Sequence, residues 1–481
     1  MAKKTTLIDS ICLKNFKAFQ DTGTLPLKQI TLLVGKNSAG KSSLIKSILG
    51  ASQTSWQADV DNSYFRLIGD YTNLGTYTDT VHGNDANTDF SIEFGVRDPK
   101  GSNYQVEYAF CKNQKNSLGT SLKGIRVHHE GKFLLSAQKP LKNQPEHRTS
   151  RMEQGIVLSR PKMTNAEYFV SKNDQQPDPE FNQKLKIFME SLGVKNEGKE
   201  EEKILRITIR DFAIDVDKVS KKQRSSSISF SLPDNEINRH IGDTRLVSRV
   251  IDSVLGRAIY LSGLREEPTR EARLAQSSGN RVGIKGEDLA TMLHQRRNNK
   301  EFMDRFNMHL QVLGIAEKAT TAPSYMKSGG NEVETGFIKI LLEKDGKNRT
   351  LMDLGFGTSQ VLPVVFELGL RKNRLILIEQ PELHLHPAAQ SEIGSLLNFS
   401  IEQGNQLIVE THSANLIERL RKLIREGKLS NNDVNIIYIG KDKQNGGSRC
   451  DVIGFDEKGE FTEAWPEESF FGERELEYLD W

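Results

Sequence analysis

The stretch Gly35-Lys36-Asn37-Ser38-Ala39-Gly40-Lys41-Ser42 constrains the fold more than any other part of this chain. It follows the short apolar run Ile30-Thr31-Leu32-Leu33-Val34, and helical character begins near Lys41. A strand that turns through glycines directly into a helix can wrap its backbone N–H groups around a phosphate, because glycine takes positive φ freely and a helix N-terminus carries partial positive charge. In this pattern Gly35 and Gly40 shape the loop, and Lys41 reaches the β and γ oxygens as a point charge. The Ser42 hydroxyl is offered to Mg²⁺, and Asn37, Ser38 and Ser43 line the loop. The expectation is a parallel α/β core that holds ATP and Mg²⁺.

The last third of the chain supplies segments of matching character. Residues 375–378 (Leu-Ile-Leu-Ile) and 406–409 (Gln-Leu-Ile-Val) are short apolar runs of the kind buried on both faces of a parallel sheet. The first ends in Glu379-Gln380-Pro381-Glu382, which puts a carboxylate at the C-terminal edge of a strand beside the phosphate loop. Glu379 is the expected magnesium-associated carboxylate. Gln380 follows it, where an amide can orient water but cannot take its proton, and Glu382 is the nearest carboxylate that could substitute. The second run leads into Glu410-Thr411-His412-Ser413, and His412 is expected to contact the γ-phosphate.

Ahead of these, Asp353-Leu354-Gly355-Phe356-Gly357-Thr358-Ser359-Gln360 precedes an apolar helical stretch, so Gly357 and Ser359 are the expected anion-facing residues at a helix start. His384 and His386 have a spacing that suits one Zn²⁺ poorly, and they read as a turn. Arg265 and Arg270 can serve either the phosphate region or structural ion pairs.

The rest bounds the function. With 66 basic against 64 acidic residues and a formal charge of +2, no bulk charge draws the 481-residue chain onto nucleic acid. The local candidate for such contact is the basic stretch 123–162, which includes Arg148, Arg151 and Arg160. Cys12, Cys111 and Cys450 lie far apart without CxxC spacing, which argues against disulfides and zinc. Neither a signal peptide nor a span of about 18 apolar residues is evident, so the cytoplasm is expected and membrane contact is not. Five regions follow: 1–98, the first half of a nucleotide-binding head; 99–244, a large insertion; 245–345, a helical return with periodicity over 245–255 and 287–313; 346–430, the second half of the head; and 431–481, a small C-terminal domain.

Taken together, Asn15-Phe16-Lys17-Ala18-Phe19, Leu74-Gly75-Thr76-Tyr77, the 355–363 stretch GFGTSQVLP, the 377–387 stretch LIEQPELHLHP and the 409–413 stretch VETHS resemble the overcoming-lysogenization-defect-like branch of ABC ATPases, relatives of SMC and recombination-repair ATPases. The resemblance covers roughly the first 95 and last 240 residues. It implies an ABC-type ATPase head, a P-loop parallel sheet with a flanking antiparallel sheet, carrying a large α+β insertion. It also implies a homodimer or higher homo-oligomer in which the 355–360 segment faces the γ-phosphate held by the other copy. Many bacterial members act in anti-phage defence of the Septu and PARIS types, with a separately encoded nuclease or toxin effector and a phage-encoded trigger. After VETHS too few residues remain for a TOPRIM domain, and no HNH-like constellation is seen, so nuclease chemistry is expected in trans. The alternative is a DNA-repair or chromosome-associated clamp that grips duplex DNA on the basic stretch.

Overall fold

A computed structural model of the protein describes residues 8–56, 65–97, 101–113, 119–138, 157–159, 167–169, 204–210, 213–219, 250–274, 281–328, 331–442 and 446–466. The chain divides into two units, Met1–Pro26 with Lys46–Gly256, and Leu27–Ile45 with Arg257–Trp481.

The first unit is built on a largely antiparallel sheet. Its strands are β1 (Ile8–Phe16), β2 (Phe19–Asp21), β3 (Leu25–Pro26), β5 (Phe90–Arg97), β6 (Asn103–Lys112), β7 (Thr120–His129), β8 (Lys132–Gln138), β9 (Val157–Ser159), β10 (Glu167–Phe169), β11 (Ile204–Arg210) and β12 (Ala213–Val219). Their order is β12-β11-β9-β10-β8-β7-β6-β5-β1-β2, with β3 also on β1. Strand β1 runs on to Phe16 and pairs with Phe19, closing a hairpin at positive-φ residues Asn15 and Lys17. Phe16, Phe65, Phe90 and Phe110 pack edge-on and tilted at 5.1–6.5 Å, a geometry that aromatic quadrupoles favour. Lys17 donates to the carbonyls of Leu74 and Asp79, each at 3.0 Å, so the two N-terminal motifs noted in sequence meet here. The short helix α2 (Tyr77–Thr80) starts at Thr76 with a capping box closed by Asp79.

The second unit holds the parallel core. Strands β13 (Ile259–Leu261), β18 (Leu375–Glu379), β19 (Gln406–Glu410), β4 (Ile30–Val34), β20 (Val434–Lys441) and β21 (Ser448–Ile453) lie side by side in that order. The first five run parallel and β21 closes the edge antiparallel. All five residues of β4 and of β19 are buried, as their unbroken apolar runs require of strands covered on both faces. The segment after residue 431, set apart in sequence, contributes β20 and β21 to this same sheet. A second sheet of β14 (Ala272–Arg273), β16 (Asn331–Lys344), β15 (Lys318–Ser328) and β17 (Lys347–Thr350) belongs to the same unit. The mixed α/β class, with a parallel and an antiparallel sheet, is the one expected.

Helix α1 (Lys41–Trp56) starts directly after the phosphate loop. The helical stretch expected over 287–313 is two helices, α3 (Leu289–Arg296) and α4 (Lys300–Val312). Asn299 breaks it by accepting the Phe302 N–H as an N-cap, an alternative to continued helix that Asn offers the backbone. Gly314, at φ +67°, ends α4. Helices α5 (Phe356–Leu370), α6 (Pro387–Glu402) and α7 (Ala414–Arg425) complete the unit. Among the described residues no helix is long and apolar enough to cross a membrane.

Candidate functional site

The phosphate loop connects β4 to α1 with the backbone its residue types permit. Gly35, Ser38 and Gly40 have φ of +149°, +60° and +112°. A Cβ on Gly35 would lie 2.1 Å from the Ile439 carbonyl oxygen of β20, so only glycine fits there. Ser448 of β21 donates to the Ala39 carbonyl at 2.6 Å and fixes the loop from the other side. Lys36, Asn37 and Ser38 form an exposed rim, whereas Lys41 is buried. Its ammonium donates to the carbonyls of Gly35 (2.8 Å) and Lys36 (3.0 Å), and burial lowers its pKa.

The second half of the site comes from the C-terminal ends of β18 and β19. The register pairs Glu379 with Glu410 and Glu410 with Leu33, so Glu410 stands between the strand of Glu379 and the strand of the phosphate loop. Its carboxylate lies 3.9 Å from the Lys41 ammonium and accepts the Ser42 hydroxyl at 3.4 Å. Burial pushes its pKa up to about 7, Glu379 adds to the rise, and Lys41 opposes it. Glu379 is engaged on the opposite side. Its two oxygens accept the Tyr260 hydroxyl at 3.0 Å and the Gly263 N–H at 3.4 Å, both from β13 and the turn after it.

Gln380 sits at φ +45°, its N–H bonded to the Glu410 carbonyl at 2.7 Å. Buried Arg265 holds this turn by donating to the carbonyls of Glu379 (2.8 Å) and Gln380 (3.3 Å); burial lowers its pKa to about 10 against the pull of Glu382 and Glu379. Of the two roles open to this arginine in sequence, the described contacts are those of a backbone clamp. Arg270 forms an exposed ion pair with Asp353 at 3.1 Å.

Glu382 is buried, and one of its oxygens accepts both the Thr411 hydroxyl and the His412 N–H at 2.8 Å. Burial raises its pKa. These bonds make Glu382 the anchor of the His412 loop. His412 itself is drawn toward the neutral form, first by burial and then by the Lys41 charge.

At the start of α5, Gly355 is the exposed N-cap and no side chain caps the helix. A Cβ on Gly357 would come within 2.3 Å of the His384 carbonyl oxygen, and the buried Ser359 donates to the Phe356 carbonyl of its own helix at 2.7 Å. Gln360 accepts the Arg265 N–H and donates to the Glu266 carbonyl. His384, at φ +62°, stacks edge-on against Phe356, and His386 caps α6 by accepting the Ala388 N–H.

Lys41, Ser42, Glu379, Gln380, Glu382 and His412 thus lie within one connected set of strand ends, while Gly357 and Ser359 face inward on α5. Sequence reasoning passed over Glu410 and Tyr260. Glu410 carried the same signal that selected Glu379, an acidic residue closing an apolar strand. Of the basic stretch, Lys123 pairs with Asp89 at 2.5 Å and Arg126 with Glu107 at 3.2 Å, whereas Arg148, Arg151 and Arg160 lie outside the described residues.

A serine hydroxyl and carboxylate oxygens are hard donors that suit Mg²⁺, and a glycine-bearing loop that leads into a helix N-terminus suits a phosphate. Among the described residues no three His, Cys, Asp or Glu side chains converge as a metal cage.

Residues 7–417 match the family model described as AAA ATPase domain. No curated protein matches. Three solved structures are similar. An SMC head bound to the C-terminal winged-helix domain of ScpA is 11% identical, covers 94% of this chain and 98% of its own, and has a TM-score of 0.39. The SMC head domain of Thermotoga maritima is 10% identical over 93% and 99%, with a TM-score of 0.35. An SMC head with an extended coiled coil, bound to the C-terminal domain of ScpA and derived from Pyrococcus furiosus, is 11% identical over 99% and 99%, with a TM-score of 0.38.

Proposed function

We propose that this chain, which belongs to the AAA ATPase domain family, is an ABC-type ATPase that binds ATP with Mg²⁺ at the ends of β4, β18 and β19 and hydrolyses it slowly. The observation that carries the reading is the meeting of Lys41, Ser42 and Glu410 at the end of a strand-to-helix loop whose Gly35 admits no side chain. In this reading the loop N–H groups and Lys41 offset the phosphate charge, Ser42 and a strand-end carboxylate hold Mg²⁺, and His412 stands near Lys41 to meet the γ-phosphate. Mg²⁺ supplies charge neutralisation of the phosphate oxygens when bound.

Slow turnover follows from what is left to activate water. Gln380 has no useful basicity, and Glu382 is committed to Thr411 and the His412 backbone. ATP binding then persists long enough to act as a signal. On the strength of the sequence resemblance, that signal is proposed to gate a separately encoded nuclease or toxin in anti-phage defence, with copies of this chain as an oligomeric scaffold. The clamp alternative draws less support, since the described basic residues Lys123 and Arg126 are already ion-paired.

Lys41→Ala tests the reading. It should lower affinity for a fluorescent ATP analogue by roughly 100-fold, the loss of a charge-assisted phosphate contact in a buried site. The same variant should abolish protection of cells challenged with phage. Wild-type affinity would reject the nucleotide site, and full protection would reject the gating role.

A further inference from the structure

The site contains two candidate carboxylates for the cation, Glu379 at the end of β18 and Glu410 at the end of β19. Glu379 closes the strand whose form marks it for magnesium, yet both of its oxygens are turned to β13, toward the Tyr260 hydroxyl and the Gly263 N–H. That strand lies on the far side of β18 from the phosphate loop, because the order is β13-β18-β19-β4. Glu410 closes β19, the strand next to β4, and its carboxylate is the one in contact with Ser42 and beside Lys41. We propose that Glu410, together with Ser42, holds the Mg²⁺ that accompanies ATP, while Glu379 is a positioning residue that ties β18 to β13.

The inference rests on the nucleotide reading above and deepens it. A plain ion pair is the competing account of Glu410. Two observations weigh against it. The Lys41 ammonium already donates to two loop carbonyls at 2.8 and 3.0 Å, and the carboxylate stands 3.9 Å away, outside hydrogen-bond reach. The other oxygen of Glu410 meets Ser42, the one hydroxyl that a phosphate loop reserves for the cation. Among the described residues, Glu379 and Glu382 both add negative charge around Glu410, and Lys41 opposes it. A divalent ion at Glu410 relieves that excess.

The test measures binding, not turnover. Purified full-length protein is titrated with a non-hydrolysable ATP analogue in EDTA and in millimolar MgCl₂. Wild type should bind in EDTA and gain on the order of tenfold or more in affinity with Mg²⁺. Glu410→Gln should keep its EDTA affinity and lose the gain, Glu410→Asp should recover part of it, and Glu379→Gln should retain it. If Glu410→Gln keeps the gain and Glu379→Gln loses it, the assignment is overturned and the nucleotide site stands. If Glu410→Gln fails to fold, Glu410→Asp with the full wild-type gain, beside a Glu379→Gln that has none, overturns it equally. Wild-type protein that binds no analogue under either condition removes the site reading itself.

Discussion

Gln380 follows the strand-end carboxylate Glu379, where an amide stands in place of a base, and its backbone is as particular as its side chain. A non-glycine residue at φ +45° persists only where its surroundings hold it, here through the Glu410 carbonyl on its N–H and Arg265 on its carbonyl. The side-chain oxygen lies 3.4 Å from where a Cβ on Gly263 would be, so the amide stands over the β13 turn next to Glu379. Changing the amide to a carboxylate leaves this backbone alone and adds a base. Gln380→Glu should therefore raise ATP turnover by about 10²-fold, the usual contribution of a placed general base, with little change in nucleotide affinity. Phosphate release at saturating ATP checks this; an unchanged rate means that the slow step is not proton transfer at residue 380. Glu382→Gln should do the reverse of a catalytic deletion, loosening the His412 loop and lowering thermal stability, since its bonded oxygen serves Thr411 and the His412 N–H.

Among the elements, α4, α5 and α6 meet at a group whose charge state matters to stability. His309 of α4 is buried, its ring edge-on to Phe399 of α6 at 4.6 Å, and a Cβ on Gly369 of α5 would come within 2.6 Å of its Cδ2. Burial, aided by Arg305, pushes the imidazole down to about 4 from its ordinary 6.5. The folded state thus keeps His309 neutral where the unfolded chain has already taken up a proton. Stability contributed by the neutral ring is complete above pH 6.5 and is lost as pH falls from about 6.5 to about 4, at up to ~1.4 kcal/mol per pH unit. Urea unfolding at pH 7.5 and 5.0 should differ by about 2 kcal/mol in wild type and much less in His309→Gln; equal differences in both would place the dependence elsewhere. These helices also show what sequence could and could not convey. The phosphate loop, β4, β18 and β19 were legible because each is a contiguous signal, glycine placement or an unbroken apolar run, set by local backbone chemistry. The break at Asn299 lies in the wholly polar run 294–301, where the apolar period lapses, and the N-cap character of Asn299 was the local signal passed over. Glu410 and Tyr260 were hidden because their roles depend on strand order: β19 lies between β18 and β4 although it follows β18 in the chain.

At the scale of the whole molecule, the proposed nucleotide site lies wholly within the unit formed by Leu27–Ile45 and Arg257–Trp481, and α5 presents its uncapped N-terminus from the same unit. In an ABC-type pair that terminus would face the triphosphate of the second copy, where its free N–H groups and partial positive charge are worth most. Gly357 and Ser359 are poor probes of this, because the first is wedged against the His384 carbonyl and the second bonds within its own helix, so changing either disturbs the fold first. Gly355 is a clean one. It is exposed, its φ of −56° suits any residue, and nothing lies within 4 Å of an added Cβ. Aspartate is a favourable N-cap, so Gly355→Asp should leave the monomer at least as stable, while its charge opposes a γ-phosphate arriving from another molecule. Sedimentation with a non-hydrolysable ATP analogue should then show wild type associating, Lys41→Ala remaining monomeric for want of nucleotide, and Gly355→Asp binding nucleotide yet remaining monomeric. Equal association of Gly355→Asp and wild type would mean that ATP does not bridge two copies through this helix, and the scaffold would have to be gated by another surface.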